Sequence, residues 1–550
     1  MSDDRYKDKE TLAHPIKPKG KFFSGVAILT LSTVIVKVIG LLYKIPMMRI
    51  LGEEGMGYFN SAYEIYTFFY ILATAGLPVA VSILVAENLE KKKISSVKKI
   101  FRVSMVLFLI LGLAGTAVLY FGAESFSELI ENSGAVLCIA AISPMVLFIC
   151  VSSAIRGYFQ GYQNMVPTAV SQMIEAAGKL FLGLALAAWA VKNGYGIAHA
   201  AAFATLGMTL GTGLSMLYLM LSKLLRQKQK DNAYNIQIPL EKNGEIARSI
   251  IKIAVPITLS STVISLTRVV DLFVILRRLQ SIGYTEEAAN AIYGSYSTLA
   301  ISMFNLPAAF VTPIALALVP VLTSAVNGRD KQKEANTLNS SLRLCGLITL
   351  PASLGLSVFS RPILELVFHG EESAINTAAP LLSVLGTSVF FSCMMTVTNA
   401  VLQAYGKERL PMISMFAGAV VKVVLSYILI GTPSINVYGA ALSTFVCSLT
   451  VSAINFAYIR KCTDAVESPI KLFGNSLWAS VLAVAVGGGA YFLLLPWTGA
   501  SSMLTVGSIG VTVLVFGVCA LKFGAVKEED LLLLPRGDII YRILKKTKLV

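Results

Sequence analysis

Residues 30–49, TLSTVIVKVIGLLYKIPMMR, and residues 258–277, TLSSTVISLTRVVDLFVILR, decide the architecture. Each run is long enough, at ~1.5 Å per helical residue, to cross a hydrocarbon core of ~30 Å. Thr30, Leu31, Ser32 and Arg49 of the first match Thr258, Leu259, Ser260 and Arg277 of the second, so one run reads as a membrane span and the pair as an internal repeat. Both also carry charge where a span should have none: Lys37, Lys44 and Arg49 in the first, Arg268 and Asp271 in the second.

The rest of the chain agrees with a polytopic helical membrane protein. It has 550 residues, 55% hydrophobic and 14% charged, with a mean hydropathy of +0.71; soluble domains carry about 25% charge. A transmembrane barrel would show alternating segments of ~10 residues, and the apolar runs here are about twice that. They predict some fourteen spans, at 23–45, 58–88, 100–122, 135–159, 166–190, 196–224, 247–278, 288–326, 338–359, 375–404, 411–431, 436–459, 474–495 and 501–522. The Pro-rich run 288–326 is too long to cross straight and has to tilt or kink.

Basic residues crowd every second connection: EKKKISSVKK (90–99), KLLRQKQKDN (223–232), GRDKQK (328–333), GKER (406–409), Arg460–Lys461 and the C-terminal tail. The alternate connections are acidic or uncharged, as in GEEGMG (52–57), Glu124, Glu128, Glu131, Glu286, Glu287, Glu371 and Glu372. By the positive-inside rule both termini face the cytoplasm of a multi-pass cell-membrane protein. The start of the chain has no signal-peptide pattern. Net charge is +15, yet the basic residues follow topology rather than forming a nucleic-acid patch.

The repeat continues past the opening pair. Pro78 of GLPVAVSILV has a counterpart in Pro313 of VTPIALALV, and Gln160, Tyr162 and Lys179 recur as Gln403, Tyr405 and Lys422 at the same internal spacing. Membrane helices align by chance through shared Leu, Val and Ala, but here charged and Pro positions fall in register too. Two parallel-repeat six-helix lobes follow, 23–224 and 247–459, with a binding site between them near the midplane. They are joined by a cytoplasmic linker, 225–246, and flanked by cytoplasmic tails, 1–22 and 523–550. The segment 460–522 adds two helices outside the repeat.

Six basic side chains stand inside the spans, Lys37, Lys44, Arg49, Lys179, Arg268 and Lys422, against three acids, Glu64, Glu175 and Asp271. A charge at the bilayer centre costs at least ~2.5–3.5 kcal/mol, so each needs water, a counter-charge or an anionic ligand. The positive excess points to a cavity for something anionic and bulky. Lys37 and Lys44, seven apart, share a helix face. Lys44 and Arg49 can instead snorkel to the interface. Arg268 and Asp271, i and i+3, can pair, as can Glu175 and Lys179 at i and i+4. Glu64 can pair with a lysine of the first span, or take up a proton or Na⁺.

The seven Cys and three His are scattered without metal-ligand spacing, and neither a P-loop nor a G-x-S-x-G elbow occurs. No metal, cofactor or catalytic residue is expected, and the chain does not read as an enzyme.

The stretches IGLLYKIPMMRILGEEGMGYFNSAYEIY (39–66), SAIRGYFQGYQNMVPTAVSQMIEAAGKL (153–180) and NAVLQAYGKERLPMISMFAGAVVKVV (399–424) resemble the polysaccharide-export, MurJ-like branch of the multidrug/oligosaccharidyl-lipid/polysaccharide (MOP) exporter superfamily. Within it they look most like the SpoVB-like, YtgP-type polysaccharide biosynthesis flippases, over essentially all of 22–522. The resemblance implies a MATE-like V of two lobes, alternating access, and a lipid-linked oligosaccharide of the undecaprenyl-pyrophosphate type, such as lipid II, as cargo. It implies a basic central cavity, to which Lys37, Lys44 and Arg49 carry over. The span 288–326 has no basic residue where the family has them, and Arg268 and Lys422 stand in. It also implies that 460–522 forms a groove for the lipid tail. H⁺, Na⁺ or membrane potential would drive the cycle. Flipping of teichoic-acid or capsule precursors, and MATE-type drug/cation antiport, are the alternatives; a membrane glycosyltransferase would need clustered carboxylates and larger outer loops.

Overall fold

The structure, a computed structural model, describes residues 20–230, 242–498 and 501–526. Most of the expected tails, 1–19 and 527–550, and half of the expected linker, 231–241, lie outside the described residues. Every regular element described is helical. In chain order these are α1 (Gly20–Thr74), α2 (Leu77–Glu90), α3 (Ile94–Phe121), α4 (Ala123–Leu129), α5 (Ala135–Ile142), α6 (Pro144–Gly161), α7 (Val166–Gly178), α8 (Leu184–Lys192), α9 (Ile197–Lys230) and α10 (Asn243–Ser281). There follow α11 (Glu286–Ser295), α12 (Ile301–Phe304), α13 (Leu306–Asn327), α14 (Lys331–Val358), α15 (Ser360–Val367), α16 (Glu372–Ala404), α17 (Arg409–Ile430), α18 (Tyr438–Cys462), α19 (Pro469–Thr498) and α20 (Ser502–Lys522). Two π-helical turns, Lys179–Gly183 and Tyr296–Ala300, interrupt the series.

α1 is a hairpin of two helices rather than one rod. Gly52 breaks it at φ 67°, ψ −174°, a left-handed φ that glycine adopts without a Cβ clash. The Tyr43 and Phe59 rings then lie only 6.0 Å apart, whereas sixteen residues of straight helix would separate them by roughly 24 Å. Among the described residues twelve helices are long and apolar enough to cross a membrane. One of these, Ile35–Glu90, is this hairpin and counts twice; α10, 39 residues long, completes fourteen crossings. Large apolar side chains such as Phe121, Leu316, Leu514 and Trp497 point outward, as they must where lipid replaces water.

The repeat is visible in the backbone. At the end of α6, Tyr162 N–H donates to Tyr158 O, Gln163 to Gln160 and Asn164 to Phe159; at the end of α16, Tyr405 donates to Val401, Gly406 to Gln403 and Lys407 to Leu402. The middle residue of each trio is left-handed, Gln163 at φ 57° and Gly406 at φ 69°. The expected partner of Pro78, however, is not Pro313. Pro78 opens α2 after a break at 75–76, and the matching break at Asn305 is followed by Pro307 in the first turn of α13. Pro313 lies farther inside α13; a proline in a first turn gives up no hydrogen bond, which is why both breaks place one there.

Several spans are longer or more broken than their apolar runs. The first reaches residue 51, the run 135–159 divides at Ser143, and 288–326 is α11, a π turn, α12 and α13. The kink expected of that last run is met by the π turn and the break at Asn305. α19 and α20 pack on each other and against α14 and α15 of the C-lobe. Phe473 lies edge-on to Phe390 at 5.2 Å, so the final helix pair sits outside the interface between the lobes.

Candidate functional site between the lobes

The loop ends named above divide the molecule into an acidic end, with Gly52–Gly57 and Glu286, and a basic end. At the acidic end the second limb of α1 packs on α11. Glycines permit the approach: a Cβ on Gly57 would lie 2.4 Å from Asn290 O, and one on Gly294 2.0 Å from Glu53 O. A polar seam joins the lobes here. Asn290 Nδ2 donates to Glu54 O at 2.6 Å and Asn132 Nδ2 to Asn290 Oδ1 at 2.8 Å. Asn60 Nδ2 donates to Thr298 Oγ1 at 2.8 Å, Ser295 Oγ to Glu53 Oε2 at 3.0 Å, and Ser133 N–H to Glu286 Oε1 at 2.6 Å. Closer to the basic end the lobes also touch at Gly76, whose Cβ would lie 2.2 Å from Ala254 O of α10.

Below the seam, roughly 12–20 Å down the helices, five charges from both lobes converge. Lys44 Nζ, from the first limb of α1, donates to Ser302 Oγ at 3.0 Å and to Ser297 O at 3.3 Å. Ser297 belongs to the π turn, whose irregular ladder presents a carbonyl outward. Glu64, on the second limb, feels the charges of Arg268, Lys44, Asp271 and Lys422, and its Oε2 is buried without a partner. Lys422 of α17 donates to Asp271 of α10 in a short ion pair. Arg268 is exposed and close enough to Lys44, Glu64 and Asp271 to be felt by each. It therefore faces open space between the lobes, and no hydrogen bond or ion pair ties it among the described residues. The five sum to +1.

Not every expected partner is the one found. Asp271 pairs with Lys422 rather than with Arg268: in this fold α17 packs along α10, so a neighbouring helix supplies the cation that one helix turn does not. Glu175 and Lys179 do pair, at 3.0 Å, but with a third member, Arg156 of α6, whose Nη2 reaches Glu175 Oε2 at 3.2 Å and whose Nε donates to Ser171 Oγ at 3.0 Å. This buried triad lies within the N-lobe. Arg49 is not part of the central cluster: it is exposed at the acidic end, and its Nη2 donates to His369 O across the seam at 3.2 Å. Lys37 is exposed two turns from Lys44 on the same helix. Arg156 and the buried Arg343, which pairs with Glu467 at 3.6 Å, are absent from the six basic residues singled out above. Both carry the same signal, a base inside an apolar run.

Known proteins place this geometry. A model of the family described as polysaccharide biosynthesis protein matches residues 22–326, and the MatE family model matches 295–428. Stage V sporulation protein B of Bacillus subtilis is 26% identical over 95% of this chain and 100% of its own length. Lipid II flippase MurJ of the same organism is 26% identical over 80% of this chain and 83% of its own. A solved lipid II flippase MurJ in an inward closed conformation superposes with a TM-score of 0.69 at 17% identity, over 90% of this chain and 98% of that one. Two pseudo-symmetric lobes meeting in a closed seam over a cluster of buried charge, with a family match across more than half its length, make this chain a member of the polysaccharide biosynthesis protein family of the MOP superfamily.

Proposed function

We propose that the protein is a flippase for a lipid-linked oligosaccharide of the undecaprenyl-pyrophosphate class, with lipid II as the leading cargo, working in a bacterial cell membrane with both termini cytoplasmic. The observation that carries this reading is Arg268: a permanent cation, exposed between the lobes and, among the described residues, bonded to no acid, beside Lys44, whose hydrogen bonds there go to neutral oxygens. An anionic head group supplies what these cations lack. Lys37, two turns from Lys44 toward the basic end, would meet it on entry. A cationic drug would meet repulsion there, which disfavours the antiporter reading.

With the basic end cytoplasmic, the acidic seam closes the outer face, and a diphosphate entering from inside has also to part the contact of Gly76 with α10 nearer the basic end. Binding at Arg268 and Lys44 competes with the bonds from Lys44 to Ser297 and Ser302 and so loosens one tie between the lobes. Outward opening then has to break the Asn132, Asn290 and Glu54 contacts. The sugars cross in the cavity while the polyprenyl tail stays in lipid, along α19 and α20. No bond is made or cut. Moving negative charge outward down an inside-negative potential gains ~2.3 kcal/mol per charge per 100 mV, so the potential itself favours export. Glu64, with one oxygen unpartnered, is where a coupling proton or Na⁺ would bind.

Depleting the protein and quantifying lipid-linked intermediates by leaflet tests the cargo. Lipid II building up on the inner leaflet is expected. Accumulation of a teichoic-acid or capsule precursor instead would move the assignment to that glycan, and no change in any diphosphate lipid would sink it. Cysteines placed at Phe126 and Ser95 test the orientation, with labelling from outside expected at the first position alone.

A further inference from the structure

Three helices of the N-lobe turn polar faces toward one another away from the lobe interface: Tyr63, Tyr66 and Tyr70 on α1, Ser152, Ser153 and Arg156 on α6, and Thr168, Gln172 and Glu175 on α7. Tyr66 is close enough to feel the charges of Glu175 and Arg156, and Lys179 is near Tyr63 and Tyr70. Much of the lining is buried, Arg156 being 5% exposed, Tyr66 1%, Thr168 2%, Ser152 0% and Ser153 1%, while Lys179 keeps 22% of its side chain exposed at the edge of the group. Its charge does not balance, because Glu175 is the one acid hydrogen-bonded to two cations. The hydroxyls of Tyr66, Ser152, Ser153 and Thr168 are all buried without a partner among the described residues, as is Gln172 Oε1.

Unspent donors gather here, beside one unpartnered atom that can only accept, Gln172 Oε1. Each orphan hydroxyl has a rotatable proton to give, Arg156 spends two of its five N–H groups on Ser171 and Glu175, and Lys179 spends one of its three on Glu175. Water would satisfy the hydroxyls yet leave the net positive charge of the triad standing. A small anion does both, accepting several donors and cancelling the charge.

We propose that this chamber is a binding site for a monatomic anion of the halide class, chloride in the cell, held by Arg156 and the hydroxyls of Tyr66 and Thr168, with Ser152 and Ser153 one turn away on the face of Arg156. It is separate from the cavity proposed for the diphosphate and does not depend on the cargo. Its role is to neutralise the N-lobe core, which lets Lys179 stay with Glu175 while the lobes rock.

The purified full chain, exchanged into gluconate, is titrated with chloride, bromide or inorganic phosphate, and its Tm is followed. Chloride and bromide are expected to raise Tm saturably, by about 3 °C. Arg156→Gln should abolish the response, and Thr168→Val or Tyr66→Phe should raise the half-saturating concentration about tenfold; these two milder variants carry the test if Arg156→Gln does not fold. Arg268→Gln should keep the response. Bromide-soaked crystals should show an anomalous peak between Arg156 and Thr168. Equal Tm in chloride and gluconate together with no peak overturns the proposal. So does a halide response lost with Arg268 and kept without Arg156, or stabilisation by phosphate but not by halides.

Discussion

In the N-lobe, Glu175 accepts from both of its cations, Arg156 at 3.2 Å and Lys179 at 3.0 Å, and all three are packed inside one lobe. Between the lobes Asp271 holds Lys422 alone, while Arg268 is left free and Lys44 leans on neutral oxygens of the opposite lobe. Lys179 and Lys422 are repeat mates, separated by the same register as Gln160 and Gln403, yet they serve different ends. Lys179 is neutralised by its own helix and belongs to the frame of its lobe. Lys422 draws its acid from α10, which leaves Arg268 of that helix available at the interface.

The comparison breaks first if the N-lobe triad proves dispensable. Glu175→Gln strands the buried Arg156 and the half-buried Lys179 and should cost about 3–5 kcal/mol, seen as a large fall in Tm and in membrane level; a Tm within two or three degrees of wild type would put the triad with the interface charges instead.

At the interface, Asp271→Asn should be nearly as damaging, about 3 kcal/mol, because it leaves Lys422 unpaired. Joining it to Lys422→Met should recover most of that stability, since a buried pair can be exchanged for neutral groups at little cost. A double-mutant cycle on Tm measures this, and strict additivity would mean that the ion pair is not an energetic unit.

Arg268→Gln should leave Tm nearly untouched while lowering transport roughly 10- to 100-fold, the loss of a charged hydrogen bond. Arg268→Lys should retain part of the activity, because lysine keeps the charge without the fork. Complementation of a depleted strain, with leaflet-resolved lipid quantification and membrane levels for every variant, separates the two. If neutral Arg268 supports full transport, the free cation is not the site.

The smallest effect is expected at Arg49. Its hydrogen bond to His369 O is exposed, so Arg49→Gln should change Tm by less than the equivalent of about 1 kcal/mol and transport by severalfold at most. A collapse of transport there would move the anion site up to the seam.

Much of this was readable in the chain. Apolar run length exposed the spans, and the repeated TLS motifs with their charges exposed the two lobes. Lys44, Glu64, Arg268, Asp271 and Lys422 were all conspicuous as ions in greasy sequence, and the structure brings these five together. Who pairs with whom was not readable, because i, i+3 spacing names a partner on one helix and is silent about α17 lying along α10. Arg156 was legible by the same rule as Lys179 but stands near the end of its run, where a base passes for a topological marker. The seam was hidden for a different reason: Gly57, Asn132 and Asn290 are ordinary loop-end residues until two lobes are pressed together.

What the sequence determined by itself is everything set by the solvent. In lipid each apolar run must be a helix, since the backbone has to satisfy its own hydrogen bonds, and the register of the repeat determines that there are two lobes. Tertiary structure decided what depends on distance between helices: that Asp271 belongs to Lys422, that Arg156 completes the Glu175 triad, that Arg49 spans the seam, and that Arg268 is the cation left over. Electrostatic pairing falls off over a few ångströms, and only packing sets which charges come that close.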